Sequence, residues 1–133
     1  MKIENTPGER IAAIVAGQKE YFRSGVTLDI AFRRRMLQRL SEALVKWEKP
    51  LCDALYEDLH KSYEEAYMTE LSIVAGEVRN HLRHLRSWSR TVCRPTPLKM
   101  FPSRSRIVSE PLGTALIVSP WNYPVQLLLN PLV

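Results

Sequence analysis

Residues 110–124 decide the fold, and they read EPLGTALIVSPWNYP. Residues 114–118 form a continuous apolar run, which is typical of a buried strand in a parallel sheet. A loop with prolines follows, and Pro124 suits the first turn of a helix that Pro131 ends or kinks. We therefore predict a strand, a loop and a helix start over residues 112–133. Together they are the first unit of an α/β, Rossmann-like domain.

The chain before this stretch has the periodicity of helices. Apolar residues recur at three- and four-residue spacing in four segments, which begin near positions 7, 28, 51 and 63. Thr6 with Glu9, and Ser62 with Glu65, have the spacing of a capping box at a helix start. Gly76 lies inside the last segment, where a glycine costs about 1 kcal/mol relative to alanine. A close crossing with another helix would explain that glycine.

Prolines at positions 95, 97 and 102 end the helical pattern. Residues 106–110 then alternate in polarity as a strand does, and we predict a β-hairpin over residues 98–111. The predicted fold is thus a mainly α-helical segment over residues 1–97, the hairpin, and the strand, loop and helix start of residues 112–133.

Composition is that of an ordinary globular chain, with 45% hydrophobic and 25% charged residues, and this excludes a disordered tail. The formal net charge is +5, but residues 78–133 hold eight basic side chains and one carboxylate, so the excess is local. An alternative function is therefore a basic helical module that binds acidic partners through seven arginines, Arg79, Arg83, Arg86, Arg90, Arg94, Arg104 and Arg106. A solvated helix face produces the same pattern, and we expect no nucleic-acid partner.

Targeting and metal signals are weak. The N-terminus has an early acidic residue and a proline without an apolar core, so it is not a secretory signal. The longest apolar stretch is shorter than the roughly 20 residues of a membrane-spanning helix. Cys52 and Cys93 do not make a disulfide scaffold, and His81 with His84 lacks further ligands for a metal. We predict a reduced, cytoplasmic protein with no metal and no membrane span in this segment.

Residues 110–124 resemble the aldehyde dehydrogenase superfamily, in which a strand entered through Pro-x-Gly is followed by Pro-Trp-Asn-[Phe/Tyr]-Pro. Residues 58–62, Asp-Leu-His-Lys-Ser, resemble the Asp-Leu-x-Lys-x segment before the long helix of these enzymes. The short N-terminus and the tyrosine variant are most similar to the class 3, fatty-aldehyde-type branch. The resemblance implies NAD(P)-dependent oxidation of aldehydes to carboxylic acids through a cysteine thiohemiacetal. It also implies a homo-oligomer, a dimer in the family, with the hairpin in its oligomerisation sheet.

The resemblance also assigns site residues in the loop. Asn122 matches the asparagine whose side-chain amide donates a hydrogen bond to the oxyanion. A turn or helix-start role is the alternative that the residues alone leave open. Val118, Ser119, Pro120 and Trp121 match the loop along the cofactor crevice, where NAD or NADP binds in the family. Ordinary packing beneath the loop is the alternative for these four.

Three sequence motifs that contain catalytic or cofactor-binding residues of the family do not occur in this sequence. They are Gly-Gln-x-Cys of the nucleophile, Glu-Leu-Gly-Gly of the general base and Lys-Pro-Ser of the adenosine-binding lysine. Cys52 and Cys93 match no family nucleophile. The resemblance therefore implies the N-terminal part of a longer enzyme. We predict that these residues alone are inactive, bind no cofactor and self-associate through uncovered apolar faces.

Overall fold

A computed structural model describes residues 5–133. Residues 1–4 lie outside the described residues. They are the first four residues of the predicted helical layer and part of the N-terminus considered above as a secretory signal. The helices in chain order are α1 (Gly8–Arg23), α2 (Ile30–Lys46), α3 (Glu48–Leu59), α4 (Tyr63–Ala66), α5 (Ser72–Trp88) and α6 (Pro124–Leu129). The strands are β1 (Val92–Arg94) and β2 (Ser105–Ile107). The predicted mainly helical segment followed by a hairpin is confirmed.

Helix starts follow local side-chain chemistry at two places. The Asp29 carboxylate accepts hydrogen bonds from the Ala31 and Phe32 N–H groups at 3.0 and 3.1 Å, and α2 begins there. The Ser62 hydroxyl oxygen accepts from the Glu65 N–H at 3.2 Å, as its capping sequence predicts. The predicted cap at Thr6 is wrong, because α1 begins directly after Pro7 without a side-chain cap.

The long helix predicted from residue 63 is continuous but not uniform. A π-helical turn, Tyr67–Leu71, joins α4 to α5. Gly76 lies in α5 away from any close helix crossing, since a Cβ added there would meet only the Arg79 Nη2 at 3.9 Å. The glycine is therefore not explained by packing within the described residues.

The core consists of two apolar clusters along α5 and the π-helical turn. The first cluster lies between α2 and α5 and comprises Leu37, Leu44, Val74 and Val78. The second lies between α3 and the π-helical turn and comprises Cys52, Leu55, Ala66 and Leu71. The last helix, α6, contacts both, through Leu129 on the first and Val125 on the second. Burial of these apolar contacts holds α6 against the helical layer.

The hairpin lies earlier than the sequence predicts. Strands β1 and β2 pair antiparallel, with Val92 opposite Ile107 and Arg94 opposite Ser105. Its first strand thus belongs to the segment predicted as helical layer, residues 1–97, and not to residues 98–111. The prolines between the strands remove ladder donors, and the Thr96 hydroxyl accepts from the Ser105 N–H at 2.8 Å to close the connection.

Residues 114–118 do not form the predicted strand. Residues 108–120 have no regular secondary structure and are mostly exposed, Leu116 by 88%. A strand exists only through hydrogen bonds to a neighbouring strand, and no segment among residues 5–133 pairs with this one. The helix predicted after it does begin at Pro124.

Two further findings concern the described part of the chain. None of its helices has the length and apolar character needed to cross a membrane. Nowhere within residues 5–133 do three His, Cys, Asp or Glu side chains come together as a metal site would need.

Candidate functional site

The loop of residues 118–124 leads from the segment without regular secondary structure into α6. The Ser119 hydroxyl donates a hydrogen bond to the Pro124 carbonyl oxygen at 3.0 Å, which joins the two ends of the loop. Prolines at both ends restrict its backbone because each fixes φ near −65°. The loop is therefore a closed turn with Asn122 near its middle.

A buried ion pair lies beneath this turn. The Lys61 Nζ is 2.6 Å from the Glu70 Oε1, and the two residues are 8% and 0% exposed. The same ammonium donates to the Asn122 backbone carbonyl oxygen at 2.8 Å and lies 4.0 Å from the centroid of the Tyr123 ring. One cation thus contacts the helical layer and two consecutive residues of the loop.

The carboxylate of Glu70 uses its other oxygen on the far side of the loop. Its Oε2 accepts hydrogen bonds from the N–H groups of Val125 at 2.8 Å and Gln126 at 3.2 Å. These are free donors of the first turn of α6, so a side chain from another helix satisfies them. The negative charge of Glu70 also interacts favourably with the positive end of the α6 helix dipole.

The predicted site residues lie together on this exposed loop. Val118 is 79% and Trp121 is 89% exposed, Pro120 and Asn122 are exposed, and Ser119 is half-buried. The backbone carbonyl of Asn122 is held by Lys61, whereas its side-chain amide makes no hydrogen bond to the described residues. The amide is therefore free to donate to a group outside this part of the chain.

The two cysteines lie elsewhere. Cys52 is buried in α3, and burial, aided by the carboxylates of Glu48 and Asp53, raises the pKa of its thiol. A thiol held protonated is a poor nucleophile. Cys93 is exposed on β1, far along the chain from the loop. Neither is brought to Asn122 by a contact in this structure.

Other polar groups are used locally. Tyr63 donates its hydroxyl to Glu48, and this hydrogen bond raises the pKa of Tyr63 to about 12. The rings of His81 and His84 both contact Trp88, with centroids 5.1 and 5.3 Å apart. The arginines of the basic stretch on α5 are exposed, as on an ordinary solvated helix face.

Lys61 and Glu70 were not identified as functional residues from the sequence. The signal for Glu70 was its spacing, because it falls among the inward-facing positions Ala66, Leu71 and Val74 of the long helix. A carboxylate at an inward position predicts a buried partner. The partner itself, nine residues earlier, could not be chosen from periodicity.

The family model described as "Aldehyde dehydrogenase family" matches residues 1–133. The chain belongs to the aldehyde dehydrogenase family.

Class 3 members are among its relatives, as the resemblance predicted. The chain is 42% identical over 115 residues to 4,4'-diaponeurosporen-aldehyde dehydrogenase of Staphylococcus aureus, a match over 86% of the chain and 25% of that protein. It is equally similar, with the same coverage of each chain, to human aldehyde dehydrogenase family 3 member B1. It is 33% identical over 126 residues to the chloroplastic family 3 member I1 of Arabidopsis thaliana, over 95% of the chain and 23% of that protein.

The fold is also that of an aldehyde dehydrogenase over the part present. The solved substrate-bound state of Staphylococcus aureus AldH superimposes with a TM-score of 0.90 at 39% identity. The match covers 99% of this chain and 27% of that one. The chain thus spans about a quarter of the length of the aldehyde dehydrogenases it matches.

Proposed function

We propose that this chain is the N-terminal part of an NAD(P)-dependent aldehyde dehydrogenase, and that Asn122 is one of the donors to the oxyanion. The observation that carries the proposal is the Pro-Trp-Asn-Tyr-Pro loop, in which Lys61 holds the Asn122 carbonyl and the side-chain amide stays free. A neutral amide N–H fits this task because it stabilises negative charge without a counter-charge of its own.

The chemistry requires a donor where charge develops. When a cysteine thiolate adds to the aldehyde carbon, the C=O electron pair moves to oxygen and the thiohemiacetal oxyanion forms. An amide already aimed at that oxygen lowers the barrier without reorganising during the reaction. The raised pKa of Cys52 and its burial argue against it as the nucleophile, so we propose that the thiolate comes from another part of the enzyme.

The loop offers a surface for a nicotinamide cofactor, which when bound would accept hydride from the thiohemiacetal carbon. Val118, Pro120 and Trp121 are exposed and apolar, so they suit the side of a flat ring. The Ser119 hydroxyl donates a hydrogen bond to the Pro124 carbonyl oxygen, so it supports the loop and does not face outward. We propose these four residues as one wall of the cofactor site, with the phosphate-binding groups supplied elsewhere.

We further propose an aldehyde substrate, a cytoplasmic location and a homodimer. Cys52 and Cys93 are both free thiols, which fits a reducing compartment. The two-stranded sheet of β1 and β2 has edges with unpaired backbone groups, and such edges accept a further strand from a partner.

The test uses a chimera in which this chain replaces the matching segment of the Staphylococcus aureus relative. Aldehyde-dependent cofactor reduction is measured by absorbance, with an aldehyde that the parent enzyme oxidises. We expect Asn122→Ala to lower kcat by about 10²–10³-fold, the usual effect of losing one oxyanion donor. The matched control is Asn80→Ala, the same substitution at an exposed position of α5. A kcat for Asn122→Ala equal to that of the control would refute the role of Asn122.

A further inference from the structure

The Lys61–Glu70 pair makes contacts that a purely stabilising ion pair would not need. Removing two charges from water is expensive, and well-packed apolar side chains often stabilise such a position as well or better. Here each charge reaches past its partner to the loop. Lys61 donates a hydrogen bond to the backbone carbonyl of Asn122, and Glu70 accepts hydrogen bonds from the N–H groups of Val125 and Gln126.

These contacts lie on both sides of the Tyr123–Pro124 peptide bond. On one side, the ammonium orients the peptide that joins Asn122 to Tyr123, and the Tyr123 ring covers the same ammonium at 4.0 Å. On the other side, the carboxylate holds the first turn of α6. Pro124 has a fixed φ, and Tyr123 between the two anchors has φ −138° and ψ 66°. The backbone at Asn122 is thus held from below while its side chain points to no partner within residues 5–133.

We propose that Lys61 and Glu70 are positioning residues that set the direction of the Asn122 side chain in the oxyanion site. The proposal rests on the function proposed for Asn122. The ion pair joins the α3–α4 connection to the π-helical turn and fixes the loop to both. The helical layer thereby determines where the amide N–H group points.

An ion pair that only stabilises the fold and one that positions Asn122 have different effects on stability and on catalysis. If the pair only stabilises the fold, catalysis returns when stability returns. If the pair positions Asn122, replacing both charges with neutral side chains recovers the stability but not the orientation of the Asn122 side-chain amide. An interaction made only in the transition state appears in kcat and leaves KM nearly unchanged.

The kinetic test uses the chimera with Lys61→Met, Glu70→Gln and the double variant. Methionine keeps the apolar stem without the donor, and glutamine keeps one acceptor for the α6 N–H groups. We expect the double variant to melt close to the parent, because no buried charge is left alone. Its kcat should still be about tenfold to a hundredfold lower, since displacement by about 1 Å costs up to 10²-fold, with KM within about twofold. The control is Lys49→Met, which removes an exposed Lys–Asp pair of the same 2.6 Å separation and should leave kcat unchanged.

The second arm uses the 133-residue chain itself and does not depend on activity. Amide NMR with hydrogen exchange compares the chain with its Lys61→Met variant. We expect shifted resonances of the Asn122 side-chain amide and faster exchange at Val125 and Gln126, by about tenfold or more. Unchanged resonances and exchange rates would overturn the proposal, whatever the chimera does.

The outcomes separate the two proposals. A full kcat in the double variant, with the loss for Asn122→Ala intact, overturns positioning and leaves the oxyanion role standing. A full kcat for Asn122→Ala overturns the oxyanion role, and the positioning role falls with it. A kcat that recovers together with the melting temperature in the double variant assigns the pair to stability alone and also overturns the positioning proposal.

Discussion

Removing the Glu70 carboxylate should destabilise this chain far more than removing an exposed carboxylate with the same ion-pair distance. Glu70→Ala leaves the Lys61 ammonium, 8% exposed, without its counter-charge. It also removes the acceptor of two backbone N–H groups in α6. Breaking a buried pair from one side typically costs about 3–5 kcal/mol in free energy of unfolding.

The exposed pair Lys49–Asp53 provides the matched comparison. Its N–O separation is also 2.6 Å, but the two side chains are 78% and 57% exposed. Water screens such a pair, and its i, i+4 geometry contributes about 0.3–0.5 kcal/mol. Asp53→Ala is therefore expected to change the free energy of unfolding by less than about 1 kcal/mol.

Urea unfolding followed by circular dichroism measures both variants. With a urea m-value near 2 kcal/mol/M, the Glu70→Ala loss corresponds to a midpoint lower by about 2 M. The Asp53→Ala midpoint should move by less than about 0.5 M. Equal shifts in the two variants would refute the reasoning, because burial is the property that distinguishes them.

Four further predictions concern other parts of the chain. Gly76→Ala should raise the free energy of unfolding by about 1 kcal/mol, since an added Cβ meets no atom closer than 3.9 Å; Gly25→Ala, where φ is 75°, should lower it, and the same urea titration compares them. A thiol reagent at neutral pH should label Cys93 quickly and Cys52 only on unfolding, because burial raises the pKa of the Cys52 thiol; labelling of both at one rate would contradict this. The pKa of the Cys52 thiol is higher in the folded chain than in the unfolded one. The free energy of unfolding should therefore be highest below the ordinary thiol pKa, and it should decrease as the pH rises towards and through the raised pKa of the folded state. The 133-residue chain alone should reduce no NAD or NADP with an aldehyde, and measurable turnover by the purified chain would refute this.

Local signals predicted the helices well because their causes lie within a few residues. Ser62 caps its helix as the spacing to Glu65 indicates, and α2 begins near residue 28 as predicted, capped by Asp29. Thr6 fails as a cap because Pro7 takes the position before the helix. Each outcome depends on side chains and backbone groups adjacent in sequence.

Long-range contacts set the limit for the rest. The run of residues 114–118 has the composition of a buried strand, but its partners are not among residues 5–133. The hairpin lies earlier than predicted because the prolines lie in its connection, and the strand before them is only three residues long. At the site, the role of Asn122 is a proposal that comes from the family resemblance. Lys61 and Glu70 contact loop residues 61 and 55 positions later in the sequence, and local patterns do not reveal such contacts.

The π-helical turn Tyr67–Leu71 has a consequence for how the length of this region can change. It adds a residue to the helix, and both Glu70 and the neighbouring Leu71 are buried, at 0% and 3% exposure. The wide turn absorbs that extra residue, so α4 and α5 keep the relative facing that one continuous α-helix would give them. Glu70 itself lies within the wide turn, so the π-helical geometry places its carboxylate. Deleting one residue of the turn should therefore leave α4 and α5 facing as they do now and change the position of Glu70, and with it the contacts to Lys61 and α6.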